Sequence, residues 1–318
     1  MKVIDLIRNR KDKTLFSFEV LPPKKGESIN VLYSCIDSLM EFDPAFIDVT
    51  YSRQQIKEVK GKNGETIMKA TRKRPGTVGI CAAIINRYHV DVVPHLICGG
   101  FTKDETEDAL IDLDFLGIDN ILAMQGDKMD TEKFFAPTKG GHAYASELIG
   151  QIVNMNKGEY LDEELGNTAA TDFCISAACY PEKHYAAGSM EEDLKYLKQK
   201  VDLGAEYLVT QMFFDNQKYF DFVDQCRAIG IDVPIIPGIK PLSTKKQLEI
   251  LPDIFFTNIP EALRKEVEKA EDNKAVRQIG IEWATQQSIE LKKAGVPVLH
   301  YYTMSKAELT KEIARNVF

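Results

Sequence analysis

A glutamate stands inside an apolar run near the start of the chain: Leu15-Phe16-Ser17-Phe18-Glu19-Val20-Leu21, closed by Pro22-Pro23. The run reads as a short buried strand that the double proline ends. Burying a carboxyl without a partner is unfavourable and pushes its pKa upward, which makes Glu19 a candidate proton donor. A Lys or Arg reaching it from elsewhere would make it an ordinary ion-pair partner, and the local residues weigh the two readings evenly. Other polar residues recur where apolar runs end: Thr50, His95, Gln125, Asp127, Glu182, His184, Gln211 and Tyr302. Any one of them, taken alone, could be a satisfied supporting residue. None of these sets has metal-ligand spacing, and no Ser or Cys sits in a nucleophile elbow. Carboxylates, amides and aromatics are left, a set that suits acid catalysis on a bound organic cofactor or substrate.

The elements that must position these residues alternate in type. Apolar runs at 15–21, 46–50, 90–98, 118–124, 173–179, 207–211, 234–239 and 298–302 read as strands. Helical spacing marks a lead-in within 1–13, then 28–41, 77–88, 102–116, 144–156, 190–203, 217–229, 244–251 and 306–317. Thr102 and Glu105 form a capping box for one of them. Two extra helices, 260–272 and 275–295, precede the eighth strand. Strands without polar alternation, each followed by a helix, imply parallel pairing. Eight such units predict a (β/α)8 TIM barrel, whose chemistry sits at the C-terminal strand ends. A doubly wound sheet is the alternative, but no G-x-G-x-x-G follows the first strand. Residues 61–65 also lack the Gly-Lys-[Ser/Thr] ending of a phosphate loop. Residues 52–75 read as a long polar loop with a short helix near 66–73, and 157–171 as an irregular insertion.

With 44% hydrophobic and 28% charged residues, the 318-residue chain can build one large core. We expect a single domain over 1–318. A net charge of −8 argues against a general nucleic-acid binder. No apolar run is long enough for a bilayer, and Met1-Lys2-Val3-Ile4-Asp5 lacks a signal-peptide core. Six scattered cysteines without CxxC spacing fit buried, reduced thiols in the cytoplasm.

The strand-end motifs together resemble the methylenetetrahydrofolate reductase family. They are Ser17-Phe18-Glu19-Val20-Leu21-Pro22-Pro23, Val49-Thr50-Tyr51, Pro94-His95-Leu96-Ile97-Cys98 and Ala123-Met124-Gln125-Gly126-Asp127. Tyr144-Ala145-Ser146-Glu147-Leu148, Ala178-Cys179-Tyr180-Pro181-Glu182, Lys200-Val201-Asp202 and Thr210-Gln211-Met212-Phe213-Phe214-Asp215 continue the series. Ile236-Pro237-Gly238-Ile239 and His300-Tyr301-Tyr302-Thr303 close it, so the likeness spans nearly the whole chain. The resemblance implies a barrel with tightly held FAD. Such an enzyme reduces 5,10-methylenetetrahydrofolate to 5-methyltetrahydrofolate by ping-pong transfer from NADH or NADPH and supplies methyl groups for methionine synthesis. It implies that Glu19 is the general acid at folate N10, opening the ring to an iminium that takes hydride from flavin N5. Asp127 matches the aspartate that binds the pterin beside the flavin. Gln211, Tyr302 and Lys306 match substrate-binding positions. Thr50, His95, Gln125, Gly126, Tyr144, Ala145, Tyr180, His184, Asp193 and Lys200 match flavin-binding positions. The family also implies a homo-oligomer.

Three departures stand out. Gln125 replaces the usual Arg before Gly-Asp, Lys245 an aromatic in the loop after strand seven, and Lys306 the usual Arg after strand eight. The changes at Gln125 and Lys245 motivate a second reading, in which a partner redox protein such as a ferredoxin or an iron–sulfur subunit feeds the same site. A non-catalytic folate- or flavin-binding scaffold is a third, which a carboxyl kept in an apolar strand argues against. Since the eighth helix ends the chain, the regulatory domain of eukaryotic members, which binds S-adenosylmethionine, is not expected.

Overall fold

Strand and helix alternate along the chain, and each strand of the main sheet runs parallel to its neighbours. The computed structural model describes residues 1–61, 64–129, 132 and 134–318. In order come α1 (Val3–Arg8), β1 (Leu15–Val20), α2 (Asn30–Asp37), β2 (Phe46–Val49), β3 (Gln55–Lys60) and β4 (Thr66–Thr71). Then follow α3 (Thr77–Tyr88), β5 (Asp91–Ile97), α4 (Lys103–Phe115), β6 (Asn120–Met124), α5 (Ala145–Met155), β7 (Cys174–Cys179) and α6 (Met190–Leu203). The last third holds β8 (Tyr207–Thr210), α7 (Asn216–Ala228), β9 (Ile235–Ile236), β10 (Gly238–Ile239), α8 (Gln247–Phe255), α9 (Glu261–Lys269), α10 (Asn273–Lys293), β11 (Val298–Tyr302) and α11 (Ala307–Val317).

The strand order is β10-β11-β1-β2-β5-β6-β7-β8-β9. Its two ends, β9 and β10, are halves of one strand separated by Pro237 alone. Proline has no N–H to give the ladder, so the strand divides there. Its carbonyl still accepts from His300 N (3.2 Å), and Gly238 N donates to Thr210 Oγ1 (2.9 Å), which joins the ring across the break. The eight expected strands therefore form the expected TIM barrel, with α9 and α10 inserted before its last strand.

Side chains of a barrel strand alternate between lumen and helix layer. Phe16, Phe18 and Val20 of β1, Ile47 and Val49 of β2, and Leu299 and Tyr301 of β11 pack outward into the large helix-facing core. Phe46, Val93, Leu122, Cys174, Tyr207, Ile236 and Val298 fill the lumen, and Val3, Ile4 and Ile7 of α1 close it from below. Ser17, Glu19, Asp48, His95, His300 and Tyr302 share that inward parity and stand towards the other end. α10 seats Trp283 Nε1 on Phe214 O and Gln287 Nε2 on Phe213 O, both at 2.9 Å. At Gly280 any Cβ would meet Leu242 O at 2.0 Å, so the bare glycine lets α10 press on the loop after β10.

The expected capping box of α4 is formed by Thr102 and Glu105. All six cysteines are free and buried. Among the described residues no helix is long and apolar enough to cross a membrane. One expectation is overturned: 52–75 is not a loop with a helix near 66–73. β3 and β4 pair there as an antiparallel hairpin apart from the barrel, with Val59 opposite Ile67 and a turn tied by Gly61 N to Glu65 O (2.7 Å). Thr66, Ile67 and Thr71 are β-branched and favour the extended backbone, and Gly64 supplies the positive φ of the turn. Residues 157–171 are irregular, as expected.

Candidate active site

A cavity of about 1,890 Å³ opens at the C-terminal ends of the strands. It exceeds the usual volume for one small ligand, so two ring systems can share it. Every site residue implied by the family resemblance lines it: Glu19, Thr50, His95, Gln125, Gly126, Asp127, Tyr144, Ala145, Tyr180, His184, Asp193, Lys200, Gln211, Tyr302 and Lys306. Glu182 does not; its Oε2 accepts from Asn258 N (3.0 Å), so it braces a loop. Lys245 also lies off the cavity, its Nζ donating to Glu268 O (3.0 Å), and Ser243, Thr244 and Gln247 line that stretch instead.

Glu19 stands at the inner end. Strand register sets it beside Asp48 of β2 on one side and Tyr302 of β11 on the other. It is 9% exposed, and burial pushes its carboxyl up to about 7. His95 and Lys240 pull the other way, while the negative charge of Asp48 adds to the rise. Among the described residues no Lys or Arg pairs with Glu19; His95 Nε2, at 4.0 Å from Oε2, is its nearest ionic neighbour. The ion-pair alternative for Glu19 is therefore disfavoured, and a carboxyl held partly protonated near neutrality remains. Asp127, on the loop after β6, is also raised by burial.

The wall beyond is built by backbone as much as by side chains. Gly126 has φ +85°, and a Cβ there would come to 3.0 Å from Ile97 Cβ. Gln125 Nε2 donates to Ala143 O (2.8 Å), so it ties the loop before α5. No side chain caps α5, whose first residues line the cavity and offer backbone N–H groups to an anion. Lys200 of α6 is lowered by burial, and its Nζ donates to Ala178 O (2.7 Å). Burial, then Lys200 and Lys183, lower His184 to about 4, so its ring is neutral. Rings of Tyr180, His184, Tyr185 and Phe256 follow one another at 4.6, 4.5 and 5.6 Å. Asp193 Oδ2 accepts from His184 N (2.8 Å) and fixes that loop. Opposite, Tyr302 OH donates to Thr210 O (2.6 Å), and Gln211 Oε1 accepts from Met212 N (2.9 Å).

A dinucleotide cofactor fits these residues. Thr50 Oγ1 is buried without a partner among the described residues, and the Lys200 amine shares the cavity with an uncapped helix start. Asp48, Lys240 and His300 are among the lining residues that the sequence does not mark as site candidates. Asp48 carried the same signal as Glu19, a carboxyl inside the buried run Phe46-Ile47-Asp48-Val49. Among the described residues no group of three or more His, Cys, Asp or Glu could hold a metal.

A family model described as methylenetetrahydrofolate reductase matches residues 3–317. Methylenetetrahydrofolate reductase (NADH) 1 of Arabidopsis thaliana is 33% identical over 96% of this chain and 49% of its own. The 5,10-methylenetetrahydrofolate reductases of Salmonella typhimurium and Escherichia coli are each 33% identical over 95% of this chain and 90% of theirs. The chain thus spans about half the length of the plant relatives it matches and nine-tenths of the enterobacterial ones. Among solved structures, a Clostridium thermocellum protein described as binding two copies of 5-methyl-5,6,7,8-tetrahydrofolic acid superposes with a TM-score of 0.58. At 17% identity over 98% of this chain and 97% of that one, it shares the fold.

Proposed function

Because the chain belongs to the methylenetetrahydrofolate reductase family, we propose that it reduces 5,10-methylenetetrahydrofolate to 5-methyltetrahydrofolate with bound FAD and electrons from NADH or NADPH. The product would supply methyl groups for methionine synthesis. The carrying observation is Glu19, a carboxyl pushed to about 7 at the inner end of a cavity large enough for a flavin and a pterin. An acid of that strength is protonated in a useful fraction at neutral pH and remains strong enough to give its proton away. Glu19 donates to folate N10, which opens the five-membered ring and leaves an iminium carbon that accepts hydride.

The flavin, when bound, would supply that hydride. Thr50, His95, Gln125, Gly126 and Asp127 would flank its ring. Tyr144, Ala145, Tyr180, His184, Asp193 and Lys200 would hold the rest of the dinucleotide, with Lys200 and the start of α5 suited to its pyrophosphate. Asp127, Gln211, Tyr302 and Lys306 would orient the pterin and its tail. Kinship alone supports homo-oligomers, and the six free buried thiols suit a reducing cytoplasm.

An anaerobic absorption spectrum tests the reading. Flavin bands should accompany the protein, bleach with NADH or NADPH and return with methylenetetrahydrofolate. Glu19→Gln should still bleach but fail to return. A flavin reduced only by dithionite, then reoxidised by folate, would indicate a protein electron donor. Full folate turnover by Glu19→Gln would remove Glu19 as the acid.

A further inference from the structure

Two carboxyl groups compete for one imidazole at the inner end of the cavity. His95 Nε2 lies 3.2 Å from Asp48 Oδ2 and 4.0 Å from Glu19 Oε2. Asp48 is 1% exposed, His95 3% and Glu19 9%, so water does not screen the three from one another. One N–H cannot serve both oxygens, and only the Asp48 distance is a hydrogen bond. A hydrogen bond donated to a carboxylate favours its ionised form. Whichever group receives the His95 hydrogen is therefore the one held as carboxylate, and the other keeps its proton.

We propose that Asp48 is a positioning residue for Glu19: by accepting the His95 Nε2 hydrogen it withholds that donor from the neighbouring carboxyl. The inference rests on the reading of Glu19 as proton donor and adds the device that keeps it protonated. Asp48 acts twice, since its own negative charge also opposes ionisation of Glu19. Its second oxygen, Oδ1, has no partner among the described residues, so no competing donor draws Asp48 away from His95. Other groups around the trio do not duplicate this role. Lys240, after β10, favours the Glu19 carboxylate. Tyr302 and His300 of β11 and Tyr207 of β8 face Asp48 or Glu19 and hold their own neutral forms by burial, as does the Cys81 thiol of α3. His300 is further fixed through Nδ1 to Ser17 Oγ (2.9 Å).

The test reads the Glu19 proton directly. Infrared difference spectra of the purified full chain, titrated across the neutral range, contain a buried-carboxyl C=O band that Glu19→Gln removes. In Asp48→Asn, which keeps the shape and loses the charge, that band should titrate about one pH unit lower. The pH midpoint of the folate half-reaction of the pre-reduced protein should move with it, while flavin reduction keeps its rate. An unmoved infrared midpoint overturns the proposal, as does a folate rate that falls equally at every pH. If Asp48→Asn does not fold, nitrogen-15 spectra of histidine-labelled parent protein decide, with His95→Gln giving the assignment. His95 should carry its hydrogen on Nε2 throughout the Glu19 titration, and a hydrogen on Nδ1 overturns the proposal. A parent protein that shows the infrared shift on substitution but never reduces folate would remove the proposed function and leave this inference standing.

Discussion

Glu19 links burial to pH in a way that stability can report. Its folded carboxyl titrates near about 7 against an ordinary 4.5, so the folded chain holds the proton more tightly than the unfolded one. The resulting stabilisation is complete below about 4.5 and is lost as pH rises to about 7, a swing of up to about 3 kcal/mol. Glu19→Gln has no such titration. Its melting temperature relative to the parent should therefore climb by several degrees between about pH 5 and about pH 8. A difference that stays constant with pH would mean that the carboxyl is solvated. At this scale the sequence was legible wherever a polar residue interrupts an apolar run, which is how Glu19, His95 and Tyr302 stood out. Asp48 carries the same signal but lies inside its strand, not at the end where barrel chemistry is expected. It sits one step deeper, where parity with Glu19 rather than position on a strand places it. Lys240 was hidden for a different reason: a lysine before proline in a loop reads as solvated, whereas close approach of α10 to Leu242 packs its loop beside the cavity.

The elements of the barrel were legible because each buries a face, and burial writes a pattern. Both faces of the β3–β4 hairpin carry exposed apolar side chains, Val59 and Ile67 on one and Met68 on the other, and among the described residues its sheet contains no third strand. With lysines interleaved and no apolar stripe, its sequence resembles a loop, so the extended backbone could not be read from periodicity. A lone two-stranded ribbon is marginal in water. Its amides should exchange with deuterium by local opening, far sooner than those of β1 and β2, and replacing 55–71 by a short Gly-Ser turn should leave the melting temperature within about 2 °C. Protection equal to that of β1, or a large fall in melting temperature, would show that something covers the hairpin in solution. That outcome would redirect attention to self-association.

At the scale of the molecule, the two ends of the chain finish the barrel. β11 pairs with β1 over five residues, and α1 seals the lumen beneath Phe46, Val93 and Leu122. Asn120 fastens the seal, accepting from Val3 N at 2.7 Å and donating to Met1 O at 3.0 Å. Sequence showed a lead-in helix here but not its purpose, since four apolar residues on a short helix say nothing of which surface they meet. Burial of Val3, Ile4 and Ile7 contributes about 1.5–3 kcal/mol each, and removing them also strips a buried amide of its partners. The sum is comparable to the whole stability of an ordinary domain. Deleting residues 1–9 should therefore lower the melting temperature by roughly 10 °C or more, measured by circular dichroism. The active site would feel the loss although it opens at the far end. Phe46 and Asp48 are two residues apart on one strand, as are Val93 and His95 on the next, so seal, lumen and site are successive layers of one packed column. A truncated chain with the parent's melting temperature would mean that the lumen is held from above, by the loops around the cavity, and that the site carries its own support.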